Sequence, residues 1–453
     1  MAVFRTRFLL WLVKAYVKKW GRQFVLFFVV GLFIFFLLIR FYPYIITYIP
    51  VQNKTVIGAR GAYAADEIPD YIISRVGNGL TKITKSGEVV SDLASSWEIK
   101  DNGRTYIFRL KKNIKFNDGT RLTSKNVTYS FKDVSIARPD ESTIIFKLKD
   151  EYAPFLVTVS KPIFLNGYIG TGNYKINNIE LNGNFIKSVQ LVSKENRFKS
   201  EEYIFYPTTE SLKIAFALGE ITEIESIPDL NLHKTSLESF PNLVVEKKPN
   251  LTKLVTLFFN TEDPLISDKK WRSGLTYALP SNFKEGIRVY TPYSPSSFFF
   301  NDTLIDKSQD LNHAKVLIDS AMETASNEAK PTLSLKVLKK YKQTASIVKN
   351  SWSKVGVSIR ITEVDSIPDT FQIYLGDFNV PKDPDQYSLW HSNQSNNITR
   401  FKNLRIDKLL EDGRRNTDPS ERLRIYTDFQ KYLVAESPAA FLYFPIEYSL
   451  KRK

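Results

Sequence analysis

The sequence contains no cysteine, and its 453 residues include only three histidines, His233, His313 and His391. The absence of cysteine excludes disulfide bonds, thiolate metal sites, a cysteine nucleophile and a lipid-modified N-terminal cysteine. The histidines lie far apart and show no spacing typical of a metal site. Two Ser-x-x-Lys matches, at 346–349 and 351–354, lack the Lys-Thr-Gly element of penicillin-binding enzymes. We therefore expect no metal ion, no other cofactor and no enzymatic activity.

Acidic residues are absent from the first 53 positions, which carry seven basic residues. The whole chain has a formal net charge of +15, so the other 400 residues carry +8. That remainder shows no basic stripe with interleaved stacking aromatics, and we expect no nucleic-acid partner. The seven basic residues are Arg5, Arg7, Lys14, Lys18, Lys19, Arg22 and Arg40.

An unbroken apolar run extends from Phe24 to Ile39. Its sixteen residues span about 24 Å as a helix, whereas the hydrocarbon core of a bilayer is about 30 Å thick. If Arg40 snorkels to the interface, the helix can extend towards Ile46. The positive-inside rule then predicts a cytoplasmic basic segment over 1–22, a transmembrane anchor over 23–46 and a C-terminal part outside.

A cleaved signal peptide is the alternative to this anchor. Ala62-Tyr63-Ala64-Ala65 has the small residues of a cleavage site, but it lies more than 20 residues beyond the apolar run. That distance is too long for the usual arrangement. We therefore expect a single-pass protein of the cytoplasmic membrane with its N-terminus inside.

Turn residues divide the exported part into short elements. Asp101-Asn102-Gly103-Arg104 separates two alternating runs, Trp97–Lys100 and Thr105–Leu110, and predicts a β-hairpin. Ser124 predicts the cap of a following helix. The apolar face of that helix would consist of Val127, Phe131 and Val134.

A βαβ unit is predicted further along the chain. Leu333–Val337 and Val357–Ile361 alternate as strands, and apolar positions between Ile347 and Val355 fit one side of a helix. Such a crossover is right-handed and builds a parallel sheet. Near the C-terminus, Asp418-Pro419-Ser420-Glu421 is typical of a helix start, with a cap, a proline in the first turn and a glutamate three residues after the cap.

The apolar strand Phe371–Leu375 follows the βαβ unit and is expected to stop at Gly376. In open α/β sheets, ligands bind beyond the carboxyl ends of the strands. Asp377 is therefore predicted to face the positive charge of a ligand. The alternative role for Asp377 is that of a turn residue at the strand end.

Six elements together resemble the bacterial extracellular solute-binding proteins of family five, the dipeptide- and oligopeptide-binding proteins of ABC importers. In that family an LAxSW segment and a dGxtYtFxLR hairpin come first, then vkFhDG, an lTAxDVxyS helix start, GTGPY, and an fN…vRqAlxyAi element. Asn173 replaces the proline of GTGPY. The matching segments are Val90–Ile99, Asp101–Leu110, Lys115–Gly119, Leu122–Ser130, Gly170–Tyr174, and Phe259-Asn260 with Trp271–Leu279.

The resemblance extends from about Lys54 to Tyr448 and implies a fold. The fold is α/β and three-lobed, of the periplasmic-binding-protein type (type II, the large cluster with an extra lobe), behind the N-terminal transmembrane helix. Lobe I is discontinuous and lobe II is inserted into it, while lobe III carries the βαβ unit. The regions after Val134 and Leu279 are shorter than usual, so lobe II is expected to be trimmed. The implied bounds are 54–85, 165–261 and 436–453 for lobe I, 86–164 for lobe II and 262–435 for lobe III.

The resemblance also implies the ligand site. By the family motif, a strand followed by gD and then DPDxF, Asp377 maps onto the aspartate that pairs with the free α-amino group of a peptide. Asp383 and Asp385 match the following element, although both also suit a loop around a proline, and Tyr387 stands in its aromatic position. Trp390 either lines a side-chain pocket or belongs to the core.

The implied function is that of a membrane-anchored, extracytoplasmic protein. It would capture short peptides as a monomer and deliver them to the permease subunits of an ABC transporter. Two alternatives remain open. The chain could be an anchored sensor or scaffold that keeps the fold without transport, or it could bind another solute such as nickel, haem or an oligosaccharide.

Overall fold

The computed structural model describes residues 2–48, 53–301, 308–324 and 331–453. These residues divide into two compact units, the first comprising 1–54 with 198–200 and the second comprising the rest of the chain. Helix α1 (Ala2–Tyr48) makes up most of the first unit. The two units are considered separately below.

Helix α1 contains the segment over 23–46 that was predicted as an anchor. Within the described residues, no single helix is both long and apolar enough to cross a bilayer. Val13–Gln23 and Val25–Phe41, which meet at a bend of 52°, satisfy that requirement only as a pair. The apolar side chains of this unit, for example Phe27 and Phe28, are exposed.

The second unit alternates short helices and strands. In the ranges that the structure describes, 3₁₀ turns accompany them at Asp101–Gly103, Ser124–Asn126, Leu237–Ser239 and Lys339–Tyr341. The helices are α2 (Asp70–Val76), α3 (Phe155–Thr158), α4 (Thr209–Leu218), α5 (Lys269–Tyr277), α6 (Leu311–Thr324), α7 (Lys342–Ser353), α8 (Tyr387–Trp390), α9 (Leu404–Arg415) and α10 (Pro419–Glu436). The strands are β1 (Asn53–Arg60), β2 (Thr81–Ile83), β3 (Val89–Ser91), β4 (Ala94–Lys100), β5 (Thr105–Leu110), β6 (Val134–Ala137), β7 (Thr143–Leu148), β8 (Tyr174–Asn182), β9 (Phe185–Ser193), β10 (Lys199–Tyr206), β11 (Glu223–Ile227), β12 (Asn231–Leu232), β13 (Thr235–Ser236), β14 (Leu243–Pro249), β15 (Lys253–Phe259), β16 (Gly286–Arg288), β17 (Thr332–Leu338), β18 (Ser358–Val364), β19 (Ile373–Asn379) and β20 (Ala439–Arg452).

One large sheet runs through this unit in the order β18-β17-β19-β15-β20-β11-β1-β10-β9-β8, and β14 and β16 also pair with β20. The long strand β20 joins its two halves, because residues 439–445 pair with β15 and β16 while residues 446–452 pair with β14 and β11. We call the half that contains β15 to β19 the C-sheet and the half that contains β1, β8 to β11 and β14 the N-sheet. A separate four-stranded sheet has the order β4-β5-β7-β6.

Helices cover both faces of the C-sheet. Side chains alternate along β19, so Ile373 and Leu375 enter one core while Tyr374 and Phe378 enter the other. The first core includes residues of α5, α6 and α7, and the second includes residues of α9 and α10. Burial on both faces explains why this strand is a nearly continuous apolar run.

The predicted βαβ unit is confirmed. β17 and β18 pair in parallel, with Leu333 opposite Ile359, and α7 connects them. Trp352 of α7 is fully buried in the core that the sequence pattern indicated. The start of α10 is confirmed as well, because the Asp418 carboxylate accepts a hydrogen bond from the Glu421 amide at 2.8 Å.

The predicted hairpin is also confirmed. β4 and β5 pair antiparallel, with Lys100 opposite Thr105. Asn102 and Gly103 in the turn have positive φ angles of 54° and 89°, which asparagine and glycine tolerate better than other residues do.

The helix predicted after Ser124 was wrong. Only one 3₁₀ turn forms there, and the chain then reaches β6 through an irregular segment that ends in a turn at Lys132 and Asp133. The Arg138 guanidinium donates hydrogen bonds to the carbonyl oxygens of Ser124 and Val127, both at 2.8 Å. Those carbonyls are acceptors that a first helical turn would have used.

Candidate functional site

Strand β19 is longer than the sequence indicated and contains Asp377. The predicted stop at Gly376 was wrong, because β19 pairs antiparallel with β15 along its whole length, Asp377 lying opposite Val255 and Asn379 opposite Lys253. Phe378 continues the alternation and packs its ring against Trp390 and Phe441. Pairing with β15 and burial of the Phe378 side chain thus extend strand β19 beyond Gly376.

The other edge of β19 is only partly occupied. β17 pairs in parallel with residues 373–375, from Leu335 to Val337, and then turns away at Lys339–Tyr341. In the described part of the chain, no strand pairs with residues 376–379 on that side. This stretch of four residues is a free strand edge at the carboxyl end of β17.

Asp377 lies at this free edge and already has two partners. Its Oδ2 atom accepts hydrogen bonds from the Lys340 Nζ at 2.6 Å and from the Tyr341 hydroxyl at 2.7 Å. The Asp377 side chain is 15% exposed, whereas that of Lys340 is 48% exposed. Burial and then the Asp377 charge raise the pKa of the Tyr341 hydroxyl, so it remains protonated as a donor. The carboxylate is therefore neutralised by a lysine that can reach solvent.

A cavity of about 530 Å³ lies beside this edge. Asp377, Phe378 and Asn379 of β19 border it, together with Lys253 of β15 and Arg400. Its wall combines apolar side chains with amide and charged groups, as solute sites commonly do.

A second cavity, of about 360 Å³, lies between the β2–β3 hairpin and the C-sheet region. The Phe298 amide donates to the Ser86 carbonyl at 2.8 Å and joins the two sides. We call this space the hairpin cavity. Its lining residues are Ile83, Thr84, Lys85, Gly87, Leu251, Thr252, Tyr293, Ser294, Ser296, Ser297, Val380, Pro381, Lys382 and Pro384.

The charge of the hairpin cavity is of one sign. Lys85 and Lys382 border it, and none of its lining residues is acidic. Neither lysine forms an ion pair with any residue that the structure describes, whereas Lys339 and Lys340 in the same unit do. The cavity can therefore accept an anionic group without first breaking an internal salt bridge.

Asp383 and Asp385, also predicted as site residues, bind internal arginines. Asp383 pairs with Arg422 at 2.7 Å and Asp385 with Arg414 at 2.9 Å. Burial raises the pKa of the Asp385 carboxyl above its ordinary value, and the Arg414 charge offsets only part of that effect. The Asp385 carboxylate also accepts the Tyr387 amide at 3.0 Å. These contacts shape the loop between β19 and α8.

Tyr387 and Trp390 lie on the one-turn helix α8. The Tyr387 ring stacks on His391, with 4.2 Å between centroids, and the Cζ atom of the Arg414 guanidinium lies 4.2 Å from the centroid of the Tyr387 ring. Trp390 is 2% exposed, and its indole N–H donates to Gln386 at 2.7 Å. Of the two roles open for Trp390, this placement is that of a core residue.

The five predicted site residues do not gather around one cavity. Asp377 borders the 530 Å³ cavity, and the other four border neither that cavity nor the hairpin cavity. Their ligand-binding roles remain predictions. Lys340 and the β2–β3 hairpin were not anticipated, because only the fold brings them near β19. Lys382 was not anticipated either, although it lies three residues beyond the end of β19. The segment Val380-Pro381-Lys382, between the strand and the Asp383-Pro384-Asp385 element, was therefore a signal in the sequence that could have pointed to this wall.

Comparison with known proteins identifies the family of this chain. Residues 88–400 match the model of "Bacterial extracellular solute-binding proteins, family 5 Middle". The "Probable D,D-dipeptide-binding periplasmic protein DdpA" of Escherichia coli is 24% identical over 79% of this chain and 80% of its own length. The oligopeptide-binding protein AppA of Bacillus subtilis is 23% identical over 84% of this chain and 83% of its own length.

Solved structures share the fold. The ABC transporter substrate-binding protein CtaP of Listeria monocytogenes superposes with a TM-score of 0.73 at 20% identity, over 88% of this chain and 94% of its own. AppA of Bacillus subtilis in complex with a nonapeptide gives a TM-score of 0.65 at 21% identity, over the same shares of the two chains. At these identities the structural likeness establishes the fold only.

Proposed function

Because the chain belongs to the bacterial extracellular solute-binding proteins of family 5, we propose that it captures short peptides outside the cytoplasmic membrane and delivers them to the permease of an ABC importer. The family is a class of solute-binding proteins, and the proposed role requires no covalent chemistry. Both sequence relatives described above are named for the peptides that they bind.

The free edge of β19 is the observation that carries this proposal. An extended peptide can add to an exposed sheet edge, where main-chain hydrogen bonds supply affinity for many sequences. Residues 376–379 offer such an edge beside a cavity. The edge is free because β17 pairs only with residues 373–375 and ends before it reaches them. A peptide there would continue β17 and run parallel to β19.

Charges at the two ends of this edge suit a peptide with free termini. In a parallel arrangement the α-amino group lies near Asp377, and the carboxylate points towards Val380 and the lysines of the hairpin cavity. Asp377 and Val380 are three positions apart, or about 10 Å along a strand. That length corresponds to about three extended residues. We therefore assign Asp377 to the α-amino group and Lys382, with Lys85, to the carboxylate of a short peptide.

In this proposal the N-sheet belongs to lobe I, the four-stranded sheet to lobe II and most of the C-sheet to lobe III. The predicted bounds of lobe I also include two parts of the C-sheet, strand β15 and residues 439–445 of β20. Strand β20 crosses from the C-sheet to the N-sheet between residues 445 and 446. Hinge closure of periplasmic binding proteins occurs at such connecting segments, and closure here would bring the β2–β3 hairpin onto the ligand.

The N-terminal segment is proposed to anchor the protein as a monomer, with residues 1–22 inside. Six basic residues and no acidic ones precede the apolar run, and only Arg40 closely follows it, so the charge asymmetry supports this topology. Membrane fractionation of the full chain, followed by extraction at high pH, tests it. Retention in the pellet, with the C-terminal part open to external protease, is the expected result. Release into the supernatant would contradict the anchor.

Calorimetry of the full chain in detergent tests the peptide function. A mixed set of dipeptides to pentapeptides with free termini should bind with micromolar or tighter Kd. Nickel, haem and an oligosaccharide serve as comparison solutes in the same buffer. If a folded sample binds no peptide, the peptide function fails. Binding of a comparison solute would then favour another importer class, and no binding at all would favour the sensor or scaffold alternative.

A further inference from the structure

We propose that Lys340 acts as a built-in substitute for the ligand's ammonium group, occupying Asp377 in the empty protein and leaving it when a peptide binds. This inference rests on the peptide-binding function proposed above. It makes Lys340 a specificity-determining residue, because its strength as a competitor sets how much a free α-amino group contributes to affinity.

The geometry of the pair supports an exchange. Lys340 and Tyr341 donate to the same oxygen of Asp377, and no residue in the described ranges donates to Oδ1. Tyr341 belongs to the buried core beside α7 and stays in place. The Lys340 ammonium is the mobile partner, since it lies on an exposed turn with nearly half of its side chain in solvent.

The neighbouring lysine shows why Lys340 is distinctive. Lys339 lies on the same turn but pairs with Asp365, whose side chain is 80% exposed. That ion pair is at the surface and borders neither cavity. Lys340 instead pairs with Asp377, whose side chain is only 15% exposed and which borders the 530 Å³ cavity at the free strand edge.

An exchange keeps the partly buried carboxylate neutralised throughout. An ammonium group of the ligand replaces the ammonium group of Lys340, and Lys340 returns to water. The apparent affinity for the ligand's amine then equals the affinity of the vacant site multiplied by the fraction of molecules in which Asp377 is vacant. If Lys340 occupies Asp377 about 90% of the time, an amine-bearing peptide binds about tenfold more weakly than it would to a vacant site.

Two substitutions move the competition in opposite directions. Lys340→Met removes the competing charge and should strengthen binding of a tripeptide with a free amine by about five- to tenfold. Lys340→Arg introduces a planar group that can bind the carboxylate in bidentate fashion and should weaken the same peptide. An N-acetylated tripeptide of the same sequence should change less than twofold with either variant. Calorimetry on the full chain in detergent measures the affinity of the wild type and both variants for the free and the acetylated tripeptide.

Lys339→Met is the matched control, because it removes one lysine charge from the same turn without touching Asp377. It should change the affinity of either peptide by less than twofold. Equal effects of Lys340→Met and Lys339→Met, or equal gains for the free and acetylated peptides, would overturn the exchange. If no variant and no wild-type sample binds either peptide, the failure belongs to the proposed function instead. Thermal unfolding confirms that each variant is folded.

Discussion

Arg422 donates hydrogen bonds to both carboxylate oxygens of Asp383, at 2.7 and 3.3 Å, with the two side chains only 12% and 10% exposed. The same guanidinium donates to the Gly413 carbonyl at 3.1 Å. One side chain of α10 therefore ties the end of α9 to the loop that follows β19. The candidate site depends on this contact, since the loop carries Lys382 and Pro384 of the hairpin cavity.

Replacement of Arg422 by methionine should destabilise the protein strongly. The change leaves the Asp383 carboxylate buried without its partner, and such losses cost about 3–5 kcal/mol. Arg424→Met, two residues along the same helix, removes exposed pairs with Glu421 and Asp428 and should cost about 0–1 kcal/mol. Denaturant unfolding of both variants measures the difference. Equal losses would show that the Asp383 contact contributes no more than a surface pair.

Replacement of Asp377 by asparagine should weaken peptides that have a free amine by about tenfold, which is about 1.4 kcal/mol. Asparagine keeps the shape but removes the charge that binds an ammonium group. The loss is smaller than that of a fully buried charge pair because Lys340 already competes for Asp377. Calorimetry with free and N-acetylated peptides checks the expectation, and Asp365→Asn, which removes the partner of Lys339, serves as the control. Unchanged affinity for the free peptide would remove Asp377 from the site.

Replacement of Lys382 by methionine should weaken peptides with a free carboxylate by about three- to tenfold. Lys382 and Lys85 are the charged residues of a cavity that has no acidic lining, and Lys85→Met should have the same direction of effect. Peptides with a C-terminal amide should bind both variants and the wild type alike. Lys112→Met changes an exposed lysine outside both cavities and controls for net charge. Equal weakening of acid and amide peptides would exclude a carboxylate contact.

Asp385 should give the protein a pH dependence that Asp385→Asn reduces. Burial raises the pKa of this carboxyl in the folded state above its ordinary value of 3.8. The folded protein therefore binds more protons than the unfolded chain in the window between the two pKa values, and the free energy of unfolding falls as the pH rises through that window. The contribution is fully present below the unfolded pKa and is lost above the folded one.

Unfolding experiments between about pH 3 and pH 7 measure this slope. Asp412→Asn alters an exposed carboxylate paired with Lys408. The free energy of unfolding of this variant should change with pH as steeply as that of the wild type. A slope that is identical in Asp385→Asn and the wild type would assign the pH dependence to other groups.

Local sequence signals predicted the local elements well. The β4–β5 hairpin, the βαβ unit around α7 and the Asp418 cap each depend on residues close together in sequence, and all three are confirmed. The prediction of a helix after Ser124 was wrong because of a residue outside the predicted segment. Arg138 donates hydrogen bonds to the carbonyl groups that a first helical turn would use. The predicted length of β19 was wrong for a similar reason. Pairing with β15, more than 100 residues earlier in the chain, decides where the strand ends.

The candidate site could be predicted only in part. Asp377 was identified from its position after an apolar run, and the structure places it at a free strand edge. Its contact with Lys340 joins residues 37 positions apart across two strands, and no periodicity in the sequence indicates it. The residues of the hairpin cavity are even farther apart in sequence. Lys85 and Lys382 border one cavity only because the β2–β3 hairpin lies against the C-sheet region.

Strand β20 also constrains how the chain can fold during synthesis. It supplies neighbours to β15 and β16 at one end and to β11 and β14 at the other, so a nascent chain that ends before residue 439 lacks the central strand of the large sheet. Neither half-sheet can complete its pairing until this segment emerges, and contacts of such long sequence separation form slowly. The large sheet should therefore stay incompletely paired until synthesis passes residue 452.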